Sequence, residues 1–173
     1  PPDDATANTV LQLMDDSVQR FQRTLRYLTD VTRLQAAGQL PVGTVSLTDL
    51  VANICLDLQP LLTLSEGQVT VDPDGCDLVT FAEKHLRSIL YNLISNALKY
   101  RHPDRVPLVQ VRCHLLAQAV VLEVQDNGLG LTKQQQERVF GMFQRLHDHV
   151  EGTGIGLYII KQVVDAAGGR ISI

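Results

Sequence analysis

The chain has 173 residues, 45% of them hydrophobic and 20% charged, which is enough for one hydrophobic core and an additional helix. Its formal net charge of −4 at pH 7 argues against a nucleic acid or an anionic membrane surface as the main partner. The sequence has no run of about 18 apolar residues and no signal-peptide pattern. We therefore expect a soluble, cytoplasmic chain, and this is compatible with a parent protein that is membrane-associated.

The first 38 residues predict a long amphipathic helix. From Ala5 to Ala37 there is no proline or glycine, and apolar residues recur at alternating spacings of three and four: Leu11, Met14, Val18, Phe21, Leu25 and Leu28. This heptad pattern predicts a helix that needs a partner helix to cover its apolar stripe. An ordinary core-facing helix is the alternative, because three heptads are the lower limit for a coiled coil. Gly38, Pro41 and Gly43 then predict a hinge.

The second part, residues 39–173, mixes helical and strand patterns. Ser46 to Asp49 matches a helix capping box, and the following helix is predicted to reach about Thr63. The turn sequence Asp72-Pro73-Asp74-Gly75 between two β-branched runs, 69–71 and 78–81, predicts a hairpin. Further elements are predicted as a helix over 83–101, strands over 108–116 and 119–124, helices over 132–138 and 154–167, and a last strand from Arg170. This order predicts an α+β fold, a mixed sheet with helices on one face.

The three cysteines, Cys55, Cys76 and Cys113, show no spacing typical of a metal site or a redox motif. They lie far apart in the sequence. We interpret them as buried or idle thiols in a reducing compartment.

Two asparagines on the predicted helix 83–101 form the first polar motif. Asn92 and Asn96 are four residues apart, so they share one face of the helix, and Lys99 and Tyr100 follow one turn later. Neutral amide oxygens ligate a hard cation without cancelling its charge, and a lysine adds a positive charge for a phosphate. Taken alone, such a pair is more often a solvated helix edge.

The second motif is Asp126-Asn127-Gly128-Leu129-Gly130, directly after a predicted strand. The carboxylate can accept a hydrogen bond from an exocyclic amine, and the glycines let the backbone pass close to a flat ring. The alternative is a plain Asp-Asn-Gly turn.

The third motif, Gly152-Thr153-Gly154-Ile155-Gly156-Leu157, opens the last predicted helix. Alternate glycines and a helix N-terminus expose amide groups that suit a triphosphate. It lacks the lysine of a P-loop. Before it stands Phe140-Gly141-Met142-Phe143-Gln144-Arg145, whose aromatic residues are compatible with the core or with a ligand site.

In this order the motifs resemble the N, G1, F and G2 boxes of the histidine kinase ATP-binding domain, a member of the GHKL ATPase superfamily. The resemblance covers about Val45 to the end and implies a two-layer Bergerat-type α/β sandwich. The helix before it resembles the second helix of the dimerisation hairpin, but it contains no histidine. We therefore expect a fragment of a longer sensor kinase, with a partial dimerisation region over 1–38 and a catalytic domain over 39–173 whose last strand is incomplete.

The resemblance implies a phosphate-binding end of the pocket. Asn96 is expected to ligate Mg²⁺, with Asn92 and Lys99 near the phosphates and Arg145 at the γ-phosphate. A flexible lid is expected over 146–151. The residues expected along the triphosphate are Gly152, Thr153, Gly154, Gly156 and Leu157.

At the other end, the resemblance implies an adenine pocket. Asp126 is expected to bind the adenine amine, and Gly128 and Gly130 to shape the space for the base. Tyr100 and Phe143 are expected to contact the nucleotide. The implied cofactors are thus ATP and Mg²⁺.

Position 92 distinguishes branches of the superfamily. Hydrolytic members carry a water-activating glutamate where this chain has Asn92, and an amide cannot accept a proton from water at neutral pH. This favours phosphoryl transfer to a protein side chain over ATP hydrolysis. The resemblance implies that the acceptor is a histidine outside this chain and that a response regulator receiver domain is the next acceptor. The expected partners are that phosphoacceptor helix, the receiver domain and a second copy in a full-length homodimer. A non-catalytic nucleotide-binding interaction module and a hydrolytic ATPase are the alternatives.

Overall fold

The computed structural model describes residues 9–11, 13–15, 17–18, 40–73, 76–116, 119–144 and 154–173. The described residues before position 19 are helical, and the side chains of Leu11, Met14 and Val18 are exposed. The rest of the predicted heptad helix lies outside the described residues. The division at residue 38 therefore stays a prediction.

Five strands and five helices follow residue 42 within the described part of the chain. In chain order they are β1 (Gly43–Ser46), α1 (Leu47–Asp57), α2 (Gln59–Ser65), β2 (Gln68–Asp72), β3 (Leu78–Phe81), α3 (Glu83–Lys99), β4 (Leu108–Leu116), β5 (Ala119–Asp126), α4 (Lys133–Arg138) and α5 (Gly156–Ala166). β1 was not predicted, because its four residues lie in the proline- and glycine-containing stretch interpreted as a hinge.

The start of α1 is capped, and its end is sharply bent. The Ser46 hydroxyl accepts a hydrogen bond from the Asp49 amide at 3.2 Å, as the capping sequence predicts. The predicted continuous helix to Thr63 is wrong, because α1 and α2 meet at an angle of 74° at Leu58. Pro60 in the first turn of α2 has no amide hydrogen and cannot continue α1. Among the described residues no single helix is long and apolar enough to cross a membrane, and only the bent pair α1–α2, counted together, meets that test.

The strands form two sheets. β1 and β3 pair antiparallel, with Val45 opposite Val79. In the other sheet β4 is central, parallel to β2 and antiparallel to β5. The predicted hairpin between residues 69–71 and 78–81 is therefore wrong. A local turn sequence does not determine pairing, and Val69 of β2 instead lies beside the buried Val109 of β4.

Helices cover one face of this architecture. Alternate residues of β4, namely Val109, Val111 and Cys113, are buried in the main core, while Gln110 and Arg112 on the other face are half-buried. This matches the predicted α+β fold with helices on one face of a mixed sheet.

α3 lies between two apolar clusters and contributes to both. Its residues Leu86, Leu90, Ile94 and Leu98 are buried in the main cluster, together with residues of α1 and β4. Ile89 belongs to the second cluster, whose other buried members come from the start and body of α5: Ile155, Ile159, Ile160 and Val163. α3 thus holds α5 beside the sheet layer.

The last residues do not continue into a strand. α5 ends before Gly168, which has a φ of 74°, and the Gly169 amide donates to the Val164 carbonyl at 2.9 Å. Arg170–Ile173 was predicted to begin a strand, and these residues have no strand structure. A strand needs a hydrogen-bonded neighbour, which the sequence pattern of four residues does not supply.

Two of the three cysteines are joined. Cys76, in the connection between β2 and β3, forms a disulfide with Cys113 of β4, and their α-carbons are 5.5 Å apart. Both are buried in the main core, and Cys55 is free. The expectation of three idle thiols is wrong for this pair, because the strand order brings together two residues that lie far apart in the sequence.

Candidate functional site

α3 carries the first polar motif beside the N-terminal end of α5. The Asn92 side-chain amide donates to the Ser88 carbonyl one turn earlier, at 2.8 Å, so its Nδ2 is fixed on the helix. Asn92 and Asn96 are half-buried, and Lys99 is exposed. The two amides therefore share one partly open face of α3, as their spacing predicts.

Gly156, the first residue of α5, faces that motif. A β-carbon at position 156 would lie 3.0 Å from the Asn92 side-chain oxygen. Only a glycine leaves the space between this oxygen and the helix start open. The first and third motifs are thus brought together.

The second motif turns tightly against the end of α3. The Gly128 amide donates to the Asp126 carboxylate at 2.8 Å, and the Leu129 amide donates to the Tyr100 carbonyl at 3.0 Å. A β-carbon at position 128 would lie 2.6 Å from the Tyr100 carbonyl oxygen, so only glycine allows this approach. Gly130 has a φ of 69°, a left-handed conformation that favours glycine. The motif that follows β5 is therefore fixed to the helix that carries the asparagines.

The aromatic segment contacts the third motif. Gly154 has a φ of 68°, and a β-carbon there would lie 2.7 Å from the Gln144 carbonyl oxygen. Phe143 also has a positive φ, 60°, and its side chain is 56% exposed. Ile155 next to Gly154 is fully buried and fixes the start of α5 in the second cluster. The chain thus presents an exposed aromatic side chain close to the alternate glycines.

Several predicted site residues lie outside the described residues. These are Arg145, Gly152 and Thr153, together with the predicted lid over 146–151. Leu157 is described and packs partly buried against the second cluster. The roles of all of these residues stay predictions.

Metal binding in the described part of the chain would rest on amide oxygens. No group of three or more His, Cys, Asp or Glu side chains in that part is arranged to hold a metal ion. The asparagine pair on α3 offers neutral oxygen ligands, which suit Mg²⁺ when phosphate oxygens and water complete its coordination. This chemistry requires an anionic ligand to arrive with the metal.

A family model decides which class of protein this is. The model described as histidine kinase-, DNA gyrase B- and HSP90-like ATPase matches residues 81–173, more than half of the chain. The chain belongs to this family. All four motifs fall within the matched region.

Similar sequences in this family are sensor histidine kinases. The chain is 30% identical over 171 residues to the circadian input-output histidine kinase CikA of Synechococcus elongatus, covering 94% of this chain and 22% of CikA. It is 33% identical over 153 residues to the sensor histidine kinase AruS of Pseudomonas aeruginosa, covering 82% of this chain and 15% of AruS. The chain therefore corresponds to the catalytic ATP-binding domain of such kinases, and it spans less than a quarter of the length of either relative.

A solved histidine kinase has the same fold. Full-length ShkA, solved in complex with AMPPNP, matches with a TM-score of 0.74 at 21% identity, over 95% of this chain and 35% of ShkA. At this level of identity the similarity concerns the fold alone. The α+β sandwich predicted from the motifs is thereby confirmed as the fold of a histidine kinase catalytic domain.

Asn127 is part of the second motif, but the sequence did not predict a role for its side chain. Its side-chain oxygen accepts from the Leu108 amide at 2.9 Å, and its side-chain nitrogen donates to the Val106 carbonyl at 2.9 Å. The only available sequence signal was the Asp-Asn-Gly pattern, which indicates a turn and not a long-range contact.

A separate hollow of about 320 Å³ lies on the sheet face away from the helices. Its polar lining includes Gln68, Thr70, Gln110 and Gln125. Asp126 and Asn127 of the second motif also line it, but no residue of α3 or α5 does. The motifs, and not this hollow, define the candidate site.

Proposed function

We propose that this chain is the nucleotide-binding part of a two-component sensor histidine kinase and that it holds ATP for transfer of the γ-phosphoryl group to a histidine outside this chain. The contact between Asn92 and Gly156 carries the proposal. It puts a neutral amide at the start of α5, where a hydrolytic relative would need a base to activate water. The contacts from Leu129 to Tyr100 and from Gly154 to Gln144 support the same pocket by joining the remaining motifs.

At the phosphate end, the described residues fit a magnesium-bound triphosphate. Asn92 and Asn96 present amide oxygens, and the position facing Asn92 is a glycine whose β-carbon would fill the space. Asn96 would ligate Mg²⁺, and Lys99 would add a positive charge near the phosphates. Bound Mg²⁺ would neutralise phosphate charge and orient the phosphate oxygens. Arg145 and the glycines at 152 and 154 are proposed to complete this end.

At the adenine end, Asp126 is proposed to bind the exocyclic amine of the base. Its carboxylate is exposed, and its Oδ1 already accepts the Gly128 amide, so its orientation is set before a ligand binds. Tyr100 is proposed to pack on the nucleotide, and Gly130 keeps side-chain atoms out of the space for the ring. The exposed Phe143 is proposed to contact the nucleotide from the other side.

The proposed reaction needs no covalent intermediate on this chain. The bond between the γ-phosphorus and the oxygen that bridges it to the β-phosphate breaks, a bond to a ring nitrogen of the acceptor histidine forms, the N–H proton of that ring is lost to solvent, and ADP leaves with the bridging oxygen. Such a transfer depends mainly on positioning and on stabilisation of phosphate charge. Asn96, Lys99 and Arg145 are the residues proposed for those tasks.

The proposed partners follow from the same reaction. They are the dimerisation and phosphoacceptor helix of the parent protein, a second copy of that protein, and the receiver domain of a response regulator. A cytoplasmic location, where ATP and a receiver domain are both present, is proposed for this part of the protein. The parent protein is compatible with attachment to a membrane.

Calorimetric titration of ATP into the chain, with and without Mg²⁺, tests the pocket. Asp126→Ala should weaken binding in both conditions, and Asn96→Ala should weaken it mainly when Mg²⁺ is present. Gly43→Ala is a matched control, because a β-carbon at position 43 meets nothing within 4 Å and the residue is in β1. A folded parent chain that binds no ATP would refute the proposal.

Transfer is tested with a separately supplied dimerisation hairpin that contains the acceptor histidine. With labelled ATP, phosphate should appear on the hairpin and not on this chain, and steady phosphate release in its absence should be low. Nucleotide binding without any transfer would favour the non-catalytic interaction module. Sustained phosphate release would instead favour a hydrolytic ATPase.

A further inference from the structure

We propose that Asn127 is a positioning residue for the adenine-binding carboxylate of Asp126. This inference rests on the proposed function of the Asp126 site. It concerns a different residue, whose side chain contacts the backbone of the loop between α3 and β4. The two side-chain bonds that Asn127 makes to Val106 and Leu108 are called the Asn127 clamp below.

The clamp extends the β4–β5 ladder beyond its last backbone pair. That last pair is Val109 with Asp126, after which the chain turns away toward Gly128. The Asn127 amide group then replaces the missing strand backbone, because its oxygen accepts the Leu108 amide and its nitrogen donates to the Val106 carbonyl, each at 2.9 Å. Asp126 is therefore held in the sheet at the point where the strand would otherwise fray.

The loop that the clamp grips is itself fixed at both ends. Tyr100, at its start, accepts the Leu129 amide through its carbonyl, and the carbonyl of the buried Pro107 accepts the Gln68 amide at 2.9 Å. The clamp thus ties the carboxylate to the same connection that begins at the end of α3.

The consequence is specific to the base. If the clamp is lost, the Gly128 amide still orients the Asp126 carboxylate, but the backbone that carries both residues is no longer tied to Val106 and Leu108, so the position of the carboxylate relative to the base is no longer set. A hydrogen bond between a charged carboxylate and the amine is a strong one and contributes about tenfold or more in affinity when its geometry is fixed. The part of the affinity that depends on the adenine amine should fall, while the phosphate end of the pocket should keep its contribution.

Comparison of ATP with purine riboside triphosphate, which lacks the exocyclic amine, tests this directly. The ratio of the two dissociation constants is measured by calorimetry with Mg²⁺ for the parent chain, Asn127→Ala, Asn127→Ser and Asp126→Ala. We expect a preference for ATP of about tenfold or more in the parent. In Asn127→Ala the preference should approach that of Asp126→Ala, and purine riboside triphosphate should bind within about threefold of its affinity for the parent. Asn127→Ser, whose hydroxyl can form one of the two bonds, should lie between the parent and Asn127→Ala.

Arg105→Ala is the control on the same loop. Arg105 donates to the backbone carbonyl of Asn127 at 3.3 Å and does not take part in the clamp. This variant should keep the ATP preference of the parent. Thermal melts followed by circular dichroism identify variants that are unfolded, and Asn127→Ser provides the test if Asn127→Ala does not fold.

The outcomes separate the two proposals. A parent that binds neither nucleotide overturns the proposed function and the inference with it. A parent that prefers ATP, with an Asn127→Ala variant that keeps the preference or loses affinity equally for both nucleotides, overturns the inference alone. In that case Asn127 contributes only to folding.

Discussion

The side-chain oxygen of Asn92 on α3 faces Gly156 at the start of α5 so closely that a β-carbon at position 156 would lie 3.0 Å from it. The Asn92 nitrogen is bound to the Ser88 carbonyl, so the amide cannot turn away without breaking that bond. The open space at Gly156 is therefore a requirement of the site and not of the helix.

Gly156→Ala should separate stability from binding. Alanine favours a helix interior over glycine by up to about 1 kcal/mol, but displacing the Asn92 amide breaks its bond to the Ser88 carbonyl, so the two effects offset and the melting temperature should change little. The added methyl group should displace the Asn92 amide and weaken ATP binding with Mg²⁺ several-fold. Calorimetry and thermal melts of this variant and of Gly43→Ala check the expectation, and a lower melting temperature with unchanged affinity would contradict it.

Alanine substitutions at the two glycines of the second motif should destabilise the chain for different reasons. In Gly128→Ala the β-carbon would lie 2.6 Å from the Tyr100 carbonyl oxygen, a backbone atom that cannot move freely. We expect a loss of about 1–3 kcal/mol in the free energy of unfolding and a loss of ATP binding.

At Gly130 a β-carbon meets nothing within 4 Å, but the φ of 69° is unfavourable for alanine. Gly130→Ala should cost about 1–2 kcal/mol, and Gly130→Asn less, because asparagine tolerates this conformation. Urea unfolding measures these differences. Equal losses for Gly130→Ala and Gly130→Asn would show that backbone conformation is not the cause.

The disulfide between Cys76 and Cys113 can be tested by counting the thiols that react with an alkylating agent. Alkylation in denaturant without a reducing agent should modify one thiol, Cys55, and alkylation after reduction should modify three. Because the two cysteines are 37 residues apart, the closed loop should contribute between about 3 and 4.7 kcal/mol in the chain-entropy model. Reduction should therefore lower the melting temperature of the parent but not of Cys113→Ser. Three reactive thiols before reduction would contradict the pairing.

Because His85 is partly buried, we expect the free energy of unfolding to decrease in mild acid. Burial lowers the pKa of His85 below its usual 6.5, and its buried Nε2 atom has no hydrogen-bond partner among the residues that the structure describes. The unfolded chain therefore binds a proton before the folded chain does, so the stabilising effect of the neutral form is complete above pH 6.5 and declines as the pH falls below it.

Thermal melts between about pH 7 and pH 5 test this sign. The melting temperature of His85→Leu minus that of the parent should increase as the pH falls. Gly43→Ala, whose added β-carbon meets nothing within 4 Å, is the control and should follow the parent across this range. A constant difference between His85→Leu and the parent across the range would exclude His85 as the source.

Local signals in the sequence predicted most of the elements but not how they pair. The Ser46 cap and the apolar positions of α3, including Leu90 and Ile94, follow from neighbouring residues and were confirmed. The pairing of β2 with β4 was missed, because the Asp-Pro-Asp-Gly turn indicated a hairpin and the competing apolar neighbours lie more than thirty residues later. The break at Pro60 was also missed, although proline at that place is a local signal.

For the candidate site, the sequence predicted residue types and their spacing, but it did not predict the contacts between the motifs. The spacing of Asn92 and Asn96 on one helical face could be read directly, since it depends on helical geometry alone. The hydrogen bonds of Asn127 to Val106 and Leu108 could not, because they connect backbone groups on another strand and loop. The resemblance indicated that the four motifs belong to one site, and the structure gave the distances between their residues.

The contact between Gly154 and Gln144 also has a practical consequence for engineering. Gln144 and Gly154 are neighbours in the fold, since a β-carbon at position 154 would lie 2.7 Å from the Gln144 carbonyl oxygen. Whatever path residues 145–153 take, their two ends are neighbours. Doubling the length of a flexible connection between adjacent ends costs only about 0.6 kcal/mol. We therefore expect extra residues between positions 146 and 151 to cost little stability, and a fluorescent reporter inserted there, with Arg145 and Gly152 kept, would lie close to the proposed phosphate end of the pocket.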